Sequence, residues 1–575
     1  MSDLKIMSCA WILLMSYCTK PGVVNNVIRA PGSVTLTTDK ACYKPGDVIT
    51  FSLGTALPAT ARVRYRHLDD SVFSAPVTGT TWTWTAPSTD HTGYMVDVYS
   101  GGTIFGCIAV DVSSDWSAFP RYGFLSYYSP GINTDSLVGA LSRYHINGLQ
   151  FYDWEYEHHQ PLAGTVANPE PTWTDIGNRL DAESTVQGFI AAAHRRNMMA
   201  MSYNLAYGAL DDAASDGVLD QWYMYTDPNH TNKDNLPLAK PMFKSYIYLM
   251  DPSNTGWQQY IASRTADAYT VYPFDGYHVD QVGNLNHTDY TYTGQTISVD
   301  QTFGPFLNAM KAASPAKRLV MNAVSQYGQQ VSIAGSPVDF LYTEVWPPTE
   351  AFSDLPVILQ NNSTWSGNTK QTVLAAYMDY NNSNTPGFFN TPGVLLADAV
   401  IFAFGGDHLE LGDHMLANEY FPNSNLQMKP DLQAAMVHYY DFLTAYENLL
   451  RGGGAFNNAT LTASGFTVNA WPPVSGSVVA VCKSVGNSEV VHLINLSGAS
   501  TLDWRDTYGN QTVPPVYQNS TITFSATGPV KRVWFASPEV NGGTPQTLPF
   551  SQAGNTITFS LPSLQYWDMM VFDYQ

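Results

Sequence analysis

Hydrophobic and polar residues alternate through residues 31–114, in "SVTLTTDKACYKPGDVITFSL", "ARVRYRHL", "TTWTWTAPS", "GYMVDVYSGG" and "TIFGCIAVDVS", with turn-forming residues between the runs. A period of two marks half-buried strands. Strands recurring about every ten residues, with no helical stretch between them, predict a β-sandwich of the immunoglobulin type. From Asp115 the rhythm changes to short apolar runs separated by segments with the helical period. The runs that read as strands are "YGFLSYY" (122–128), "GLQFYDW" (148–154), "MMAMSYN" (198–204), "GYHVDQV" (276–282), "RLVMNAV" (318–324), "FLYTEVW" (340–346), "TVLAAYM" (372–378) and "AVIFAFG" (399–405).

Between and after them stand amphipathic helix candidates: "SLVGALSRYH", "STVQGFIAAAHRRN" with Ser184 as N-cap, "TGWQQYIASRTADAYT", "FGPFLNAMKAAS" and "DLQAAMVHYYDFLTAYENLL". The last puts Leu432, Met436, Tyr439, Leu443, Tyr446 and Leu450 on one face. Eight such alternations predict a central (β/α)8 TIM barrel over residues 115–451. A doubly wound sheet is the alternative, but no Gly-rich phosphate loop follows an early strand. "NTPGFFNTPG" (384–393) reads as loop, and "RGGGAFNN" (451–458) breaks the last helix. Beyond it, over 452–575, strand patterning returns in "GFTVNAW", "GSVVAVCK", "EVVHLINLS", "STITFSA", "VKRVWFAS", "NTITFSL" and "WDMMVFDY", which predicts a C-terminal antiparallel β-sandwich. The fold expected is therefore multidomain, a barrel flanked by two β-domains.

Residues 1–30 read as a signal remnant or a disordered N-terminus. Their apolar stretch, Cys9 to Tyr17, is too short to span a membrane and lacks a clean cleavage site. The five cysteines, Cys9, Cys18, Cys42, Cys107 and Cys482, form no zinc-type cluster. Cys42 and Cys107 could pair in an oxidising compartment, though two separate buried thiols are the simpler expectation.

A formal net charge of −21 repels nucleic acid and anionic lipid, and only 13% of residues are charged. With abundant Tyr, Asn, Thr and Ser, this fits a neutral substrate and a secreted protein, and an extracellular location is expected. The 35 Tyr and 14 Trp suit either sugar stacking or strand filling. Neither a nucleic-acid nor a membrane partner is expected, and the chain is expected to be a monomer.

Barrel enzymes carry their chemistry at the C-terminal ends of strands. Strand two ends with Tyr152, Asp153, Trp154, Glu155, His158 and His159. Strand three ends with Tyr203, Asn204 and Tyr207, strand four with Asp280, strand five at Asn322 and strand six with Glu344 and Trp346. Strand eight leads into Asp407, His408, Glu410 and Asp413. A lone Asp at a strand end is usually a turn residue. Two carboxylates ending strands on one barrel mouth are what glycoside hydrolysis requires, about 5–5.5 Å apart when configuration is retained. His158, His159, His408 and His414 could turn such carboxylates to metal binding, but HExxH-like spacing is missing. No metal or cofactor is expected in the chemistry; incidental calcium stays open.

"FDGYHVDQVGN", "LYTEVWPP", "INGLQFYDWEYEHHQP" and "GGDHLELGDHMLANEYFPN" resemble characteristic segments of glycoside hydrolase family 66. The resemblance runs from about residue 31 to the C-terminus and includes the domain order. That family contains endo-dextranases and cycloisomaltooligosaccharide glucanotransferases. The resemblance implies Asp280 as nucleophile and Glu344 as acid/base. It implies substrate contacts from Tyr152, Asp153, Trp173 (in "PTWTDIGNR"), Asn204 and Tyr207, and more weakly from His158, Asn322, Trp346 and Glu410. The bland alternative for each is a loop or upper-core role.

The activity this implies is endo-hydrolysis of α-1,6 linkages in dextran to isomaltooligosaccharides, with retention. By resemblance, the cyclising members carry a carbohydrate-binding module inserted after the acid/base. Here only about 100 residues follow Glu344 before the last helix, and strands seven and eight need them. A transglycosylating, cyclising glucanotransferase is the alternative, followed by an inactive glycan-binding protein, which would have lost Asp280 or Glu344. For acid catalysis Glu344 must be neutral, its pKa raised by Asp280 and by apolar neighbours such as Trp346.

Overall fold

The computed structural model describes residues 34–458 and 460–575. The N-terminal stretch 1–30, with Cys9 and Cys18, lies outside them. Among the described residues, no helix is long and apolar enough to cross a membrane.

The centre is a sheet of eight parallel strands in sequential order: β1 (Tyr122–Leu125), β2 (Gly148–Phe151), β3 (Met199–Leu205), β4 (Gly276–Asp280), β5 (Arg318–Val324), β6 (Leu341–Glu344), β7 (Thr372–Ala375) and β8 (Asp407–His408). Every residue of β1, β2, β6 and β7 is buried, as parallel strands covered on both faces must be. The sheet nearly closes just past β8, where Phe124 bridges Gly412. There Phe124 N–H donates to the Leu411 carbonyl and Asp413 N–H to the Phe124 carbonyl, both at 3.2 Å. A Cβ on Gly412 would stand 2.4 Å from that Phe124 oxygen, so the seam requires glycine. Acidic residues in and after β8 stitch the seam: Asp407 accepts Tyr122 N–H, and Asp413 accepts the amides of Ser126 and Tyr127.

The helices are α1 (Thr134–Ser142), α2 (Glu183–Arg195), α3 (Thr255–Val271), α4 (Val299–Ala313), α5 (Asp354–Trp365), α6 (Thr391–Ala403), α7 (Pro430–Ala445) and the short α8 (Glu447–Leu450). Two sequence expectations fail here. Ser184 lies inside α2, whose N-cap residue is Ala182 and lacks a side-chain cap. More consequentially, "AVIFAFG" is no strand: residues 399–403 end α6, and the eighth strand is the two-residue β8. All thirteen residues of α6 are buried, so it shows no polar face, and an apolar run does not tell a buried helix from a buried strand. The signal lay in the segment read as loop, where Asn390 occupies the N-cap position and Pro392 the first turn.

The buried outer surfaces of α6 and α7 show how the flanking domains attach. Phe402 of α6 and Phe442 of α7 both pack on Trp567, with ring centroids 6.3 and 4.6 Å away. Asp441, also on α7, accepts the Ala109 amide at 2.8 Å. Hence α7 buries Val437, Tyr440 and Phe442 beyond the face its periodicity marks.

Before the barrel, a three-stranded sheet (Leu36–Thr38, Val48–Leu53, Thr81–Thr85) and a four-stranded one (Asp70–Pro76, Arg62–His67, Thr92–Ser100, Thr103–Val112) share a core. In it Phe51 meets Tyr65 at 5.9 Å. After the barrel, a seven-stranded and a four-stranded sheet do the same, with Phe524 stacked on Phe572 at 4.0 Å. This second pair departs from a wholly antiparallel plan, since Val468–Ala470 runs parallel to Val478–Val485. Cys42 and Cys107 are separate buried thiols, pointing at the carbonyls of Asn197 and Gly542, and do not pair.

Candidate active site

Asp280 and Glu344 are the last residues of β4 and β6, and β5 runs between those strands. From β5, the single amide nitrogen of Asn322 donates to Asp280 Oδ1 at 2.8 Å and to Glu344 Oε2 at 2.9 Å. The two hydrogens of an amide nitrogen point about 120° apart, and acceptors ideally placed on both stand about 5 Å from each other. The outer oxygens are held from the sides. Tyr203, on β3, donates its hydroxyl to Asp280 Oδ2 at 2.6 Å, and Tyr377, just past β7, donates to Glu344 Oε1 at 2.6 Å. Asp280 Oδ1 also accepts Gln281 N–H at 2.8 Å, so the carboxylate both ends its strand and faces the barrel mouth.

Below them lies an aromatic floor of Tyr122, His278, Phe340 and Tyr342. Burial pushes His278 down to about 3, so it is neutral and places no positive charge under the pair. Glu344 is pushed up to about 7, first by burial and then by the negative Asp280, against the hydrogen bonds of Tyr377 and Asn322. Burial also raises Asp280, opposed by Tyr203, Asn322 and the Gln281 amide. Glu344 is only 8% exposed, whereas Asp280 keeps a more open face. One carboxyl is thus poised to hold a proton near neutrality while its neighbour, with three donors, is better suited to stay ionised.

Several expected contacts gather around this pair. Tyr152 leans over Tyr203 at 4.8 Å and stacks on Phe421 at 4.3 Å. Trp346 stands half-buried against Tyr377 and Tyr380 at 5.4 and 5.7 Å. His158 is buried, with Nδ1 2.7 Å from Glu155 and 3.0 Å from Asn204 Oδ1. Burial lowers its basicity, but Glu155, Asp153 and Asn204 together reverse this and hold the ring above its usual value. Its Nε2 has no hydrogen-bond partner, and its charge helps hold Asp280 ionised. Asn204 spends both amide ends on the His158–Leu205 backbone framework and so positions His158. Asp153 sits at φ 49° beside Glu155 and His158; burial, then Glu155, raises it well above the carboxylate range.

Three expected residues are placed elsewhere. Trp173 is 5% exposed on a two-stranded sheet outside the barrel strands, donating to the Trp154 carbonyl and packing on Tyr272. Tyr207 is fully buried, and its hydroxyl accepts Val282 N–H, so it braces the chain leaving Asp280. Glu410 points outward from the barrel, taking the Tyr440 hydroxyl of α7 and lying near Asp398 of α6 and His408. A strand end alternates between cleft-facing and wall-facing positions, and sequence order does not say which is which.

Tyr203, Tyr377, Tyr380 and Arg505 were not among the expected contacts. Tyr377 lay within a run read only as strand. Arg505 comes from the C-terminal part of the chain: its guanidinium lies over Trp346 and Tyr380 at 5.5 and 5.4 Å and donates to the Val345 carbonyl. No local pattern announces a contact across 160 positions.

Residues 38–571 match the family model described as Glycosyl hydrolase family 66. A cycloisomaltooligosaccharide glucanotransferase of Niallia circulans is 29% identical over 696 aligned positions, covering 93% of this chain and 71% of that protein. A dextranase of Streptococcus salivarius is 25% identical, covering 84% of this chain and 67% of its own. Among solved structures, a Paenibacillus sp. cycloisomaltooligosaccharide glucanotransferase complexed with cycloisomaltoheptaose superposes with a TM-score of 0.87 at 27% identity, covering 94% of this chain and 99% of that one.

Proposed function

We propose that this chain, which belongs to glycosyl hydrolase family 66, hydrolyses internal α-1,6-glucosidic bonds of dextran with retention of configuration. The observation that carries the reading is the Asn322 amide shared by Asp280 and Glu344. It supports a carboxyl spacing of about 5 Å, that of a nucleophile and an acid/base; an inverting pair would need about 6.5–9.5 Å to seat a water. Asp280, ionised and with the more open face, attacks the anomeric carbon from the β side, and the C1–O6 bond breaks as protonated Glu344 gives its proton to O6. The resulting Glu344 carboxylate then takes a proton from water, whose oxygen displaces Asp280 from C1 and restores the α configuration. Tyr203 and Asn322 stabilise Asp280 as the leaving carboxylate. Tyr152, Trp346, Asp153 and His158 line the glucan's path, and no cofactor enters any step.

Hydrolysis is preferred to cyclisation on the length of the sequence alignment. The glucanotransferase alignment needs 696 positions for a chain of 575 residues, so that relative carries inserted residues which this chain lacks. Cyclising transglycosylation is the second reading, favoured by the 29% identity to that named glucanotransferase against 25% to the dextranase. A polymeric substrate too large to cross a membrane goes with action outside the cell, by a monomer. The test is product analysis on dextran beside starch, pullulan and α-1,3-glucan, with the anomer of the first product read by NMR. Linear α-isomaltooligosaccharides from dextran alone are expected. Cyclic products would establish the second reading, and a β-anomer would end the retaining mechanism.

A further inference from the structure

Apart from the carboxylate pair, three ligand-bearing side chains converge beside the loop that leaves the candidate nucleophile. His287 Nε2 lies 3.1 Å from Asp234 Oδ2 and 3.4 Å from Asp289 Oδ1. All three atoms fall within 4.8 Å of one another. Asp234 and Asp289 are 5% and 2% exposed. The imidazole turns Nε2, with either a lone pair or a proton, toward two carboxylates.

A proton serves only one of them. It can bridge to Asp234, but Asp289 Oδ1, buried and aimed at the same point, has no hydrogen-bond partner, Nε2 standing at 3.4 Å without the geometry of one. A metal ion serves all three. Ligand atoms about 2.0–2.1 Å from a tetrahedral ion stand about 3.3–3.4 Å from each other, close to the spacings here. One imidazole and two carboxylates suit an ion of the zinc class rather than calcium, which takes oxygen ligands. A polar cavity of about 110 Å³ lined by Asn284, His287, Asp289 and Asp300 adjoins two of the three, with room for water in a fourth position.

The neighbouring clusters lack this combination. At His159, Nδ1 accepts the Leu210 amide, so Nε2 carries the proton and has no lone pair for an ion. The group of Asp398, His408 and Glu410 is sealed, with no member more than 1% exposed. By contrast, His287 opens to solvent, and its partners are already fixed. Asp234 is held by backbone bonds to Met224 and Leu249, and Asp289 precedes the Tyr225–Tyr290 bridge.

We propose that Asp234, His287 and Asp289 form a divalent-cation site of the zinc class that ties the loop leaving Asp280 to the excursion that follows β3. The test uses the full chain, stripped with a chelator and titrated with Zn²⁺ by calorimetry, with thermal unfolding and the visible spectrum of a Co²⁺-loaded sample alongside. One equivalent of Zn²⁺ is expected, with a rise in Tm and a tetrahedral-type Co²⁺ absorption. His287→Gln and Asp289→Asn should each weaken binding at least about tenfold, and His159→Gln should leave it unchanged. Wild-type protein that binds no Zn²⁺ at millimolar concentration, or takes Ca²⁺ but not Zn²⁺, would overturn the proposal. So would binding that survives both ligand variants. The wild-type Co²⁺ spectrum keeps the test decisive should a variant fold poorly.

Discussion

Tyr377 donates its hydroxyl to Glu344 Oε1 at 2.6 Å, a bond that favours the ionised form of a carboxyl which burial and Asp280 hold at about 7. The donor thus restrains the very shift that acid catalysis needs. It fixes where the carboxyl sits while keeping its pKa from climbing out of the working range. Removing it should therefore move activity along the pH axis as well as down.

In Tyr377→Phe the donor is lost and burial is not, so the Glu344 pKa rises. Activity requires protonated Glu344 and falls as pH rises through its pKa. The alkaline limb of kcat/KM should therefore shift to higher pH, while the acid limb, governed mainly by Asp280, moves less. Because the two carboxyls interact, the limbs report apparent values for the pair. A limb that stays put or moves to lower pH in the variant would show that Tyr377 does not act on Glu344.

Asn322→Ala removes the one nitrogen that both carboxylates share. Loss of a preorganised donor of this kind costs about 10²–10³ in kcat. Steady-state kinetics on dextran should show that loss mainly in kcat. A variant within a few fold of wild type would mean that the bridge is incidental.

The roles of Asp280 and Glu344 separate by rescue. Both Asp280→Gly and Glu344→Gln should lose several powers of ten, since the groups act as a unit. Azide added to Asp280→Gly enters from the face the carboxylate vacated and, with Glu344 still the acid, yields a β-glucosyl azide. In Glu344→Gln an activated aryl α-glucoside still forms the covalent intermediate, and azide resolves it as an α-glucosyl azide. Products of swapped configuration, identified by NMR, would exchange the two assignments.

Arg121, fully buried, is paired with Asp111 of the N-terminal sheets and with Glu447 at 3.0 Å, and it also donates to the carbonyls of Phe119 and His145. Asp111→Ala should cost about 3–5 kcal/mol in denaturant unfolding, because it removes one of the two carboxylates that pair a buried guanidinium. For the same reason residues 115–450 alone should fold poorly. Soluble, cooperatively folding fragment, or a loss below about 1 kcal/mol in the point variant, would show that the barrel does not depend on this joint.

The sequence by itself determined the strand and helix rhythm, seven of the eight barrel strands to within a few residues, and the two carboxylates that end β4 and β6. Each is a local property: period, turn chemistry, or a charged residue ending an apolar run. Tertiary structure decided what local pattern does not encode. It made "AVIFAFG" the end of a helix, because the C-terminal sheet covers the face that would otherwise be polar. It turned Tyr207 and Glu410 into wall residues and Tyr203 and Tyr377 into partners of the carboxylates, because strand tilt and register choose which side chains face the mouth. It also brought Arg505 onto Trp346 from far along the chain. Even the pKa of Glu344 is a tertiary property, since burial, its largest cause, exists only once the chain has closed around it.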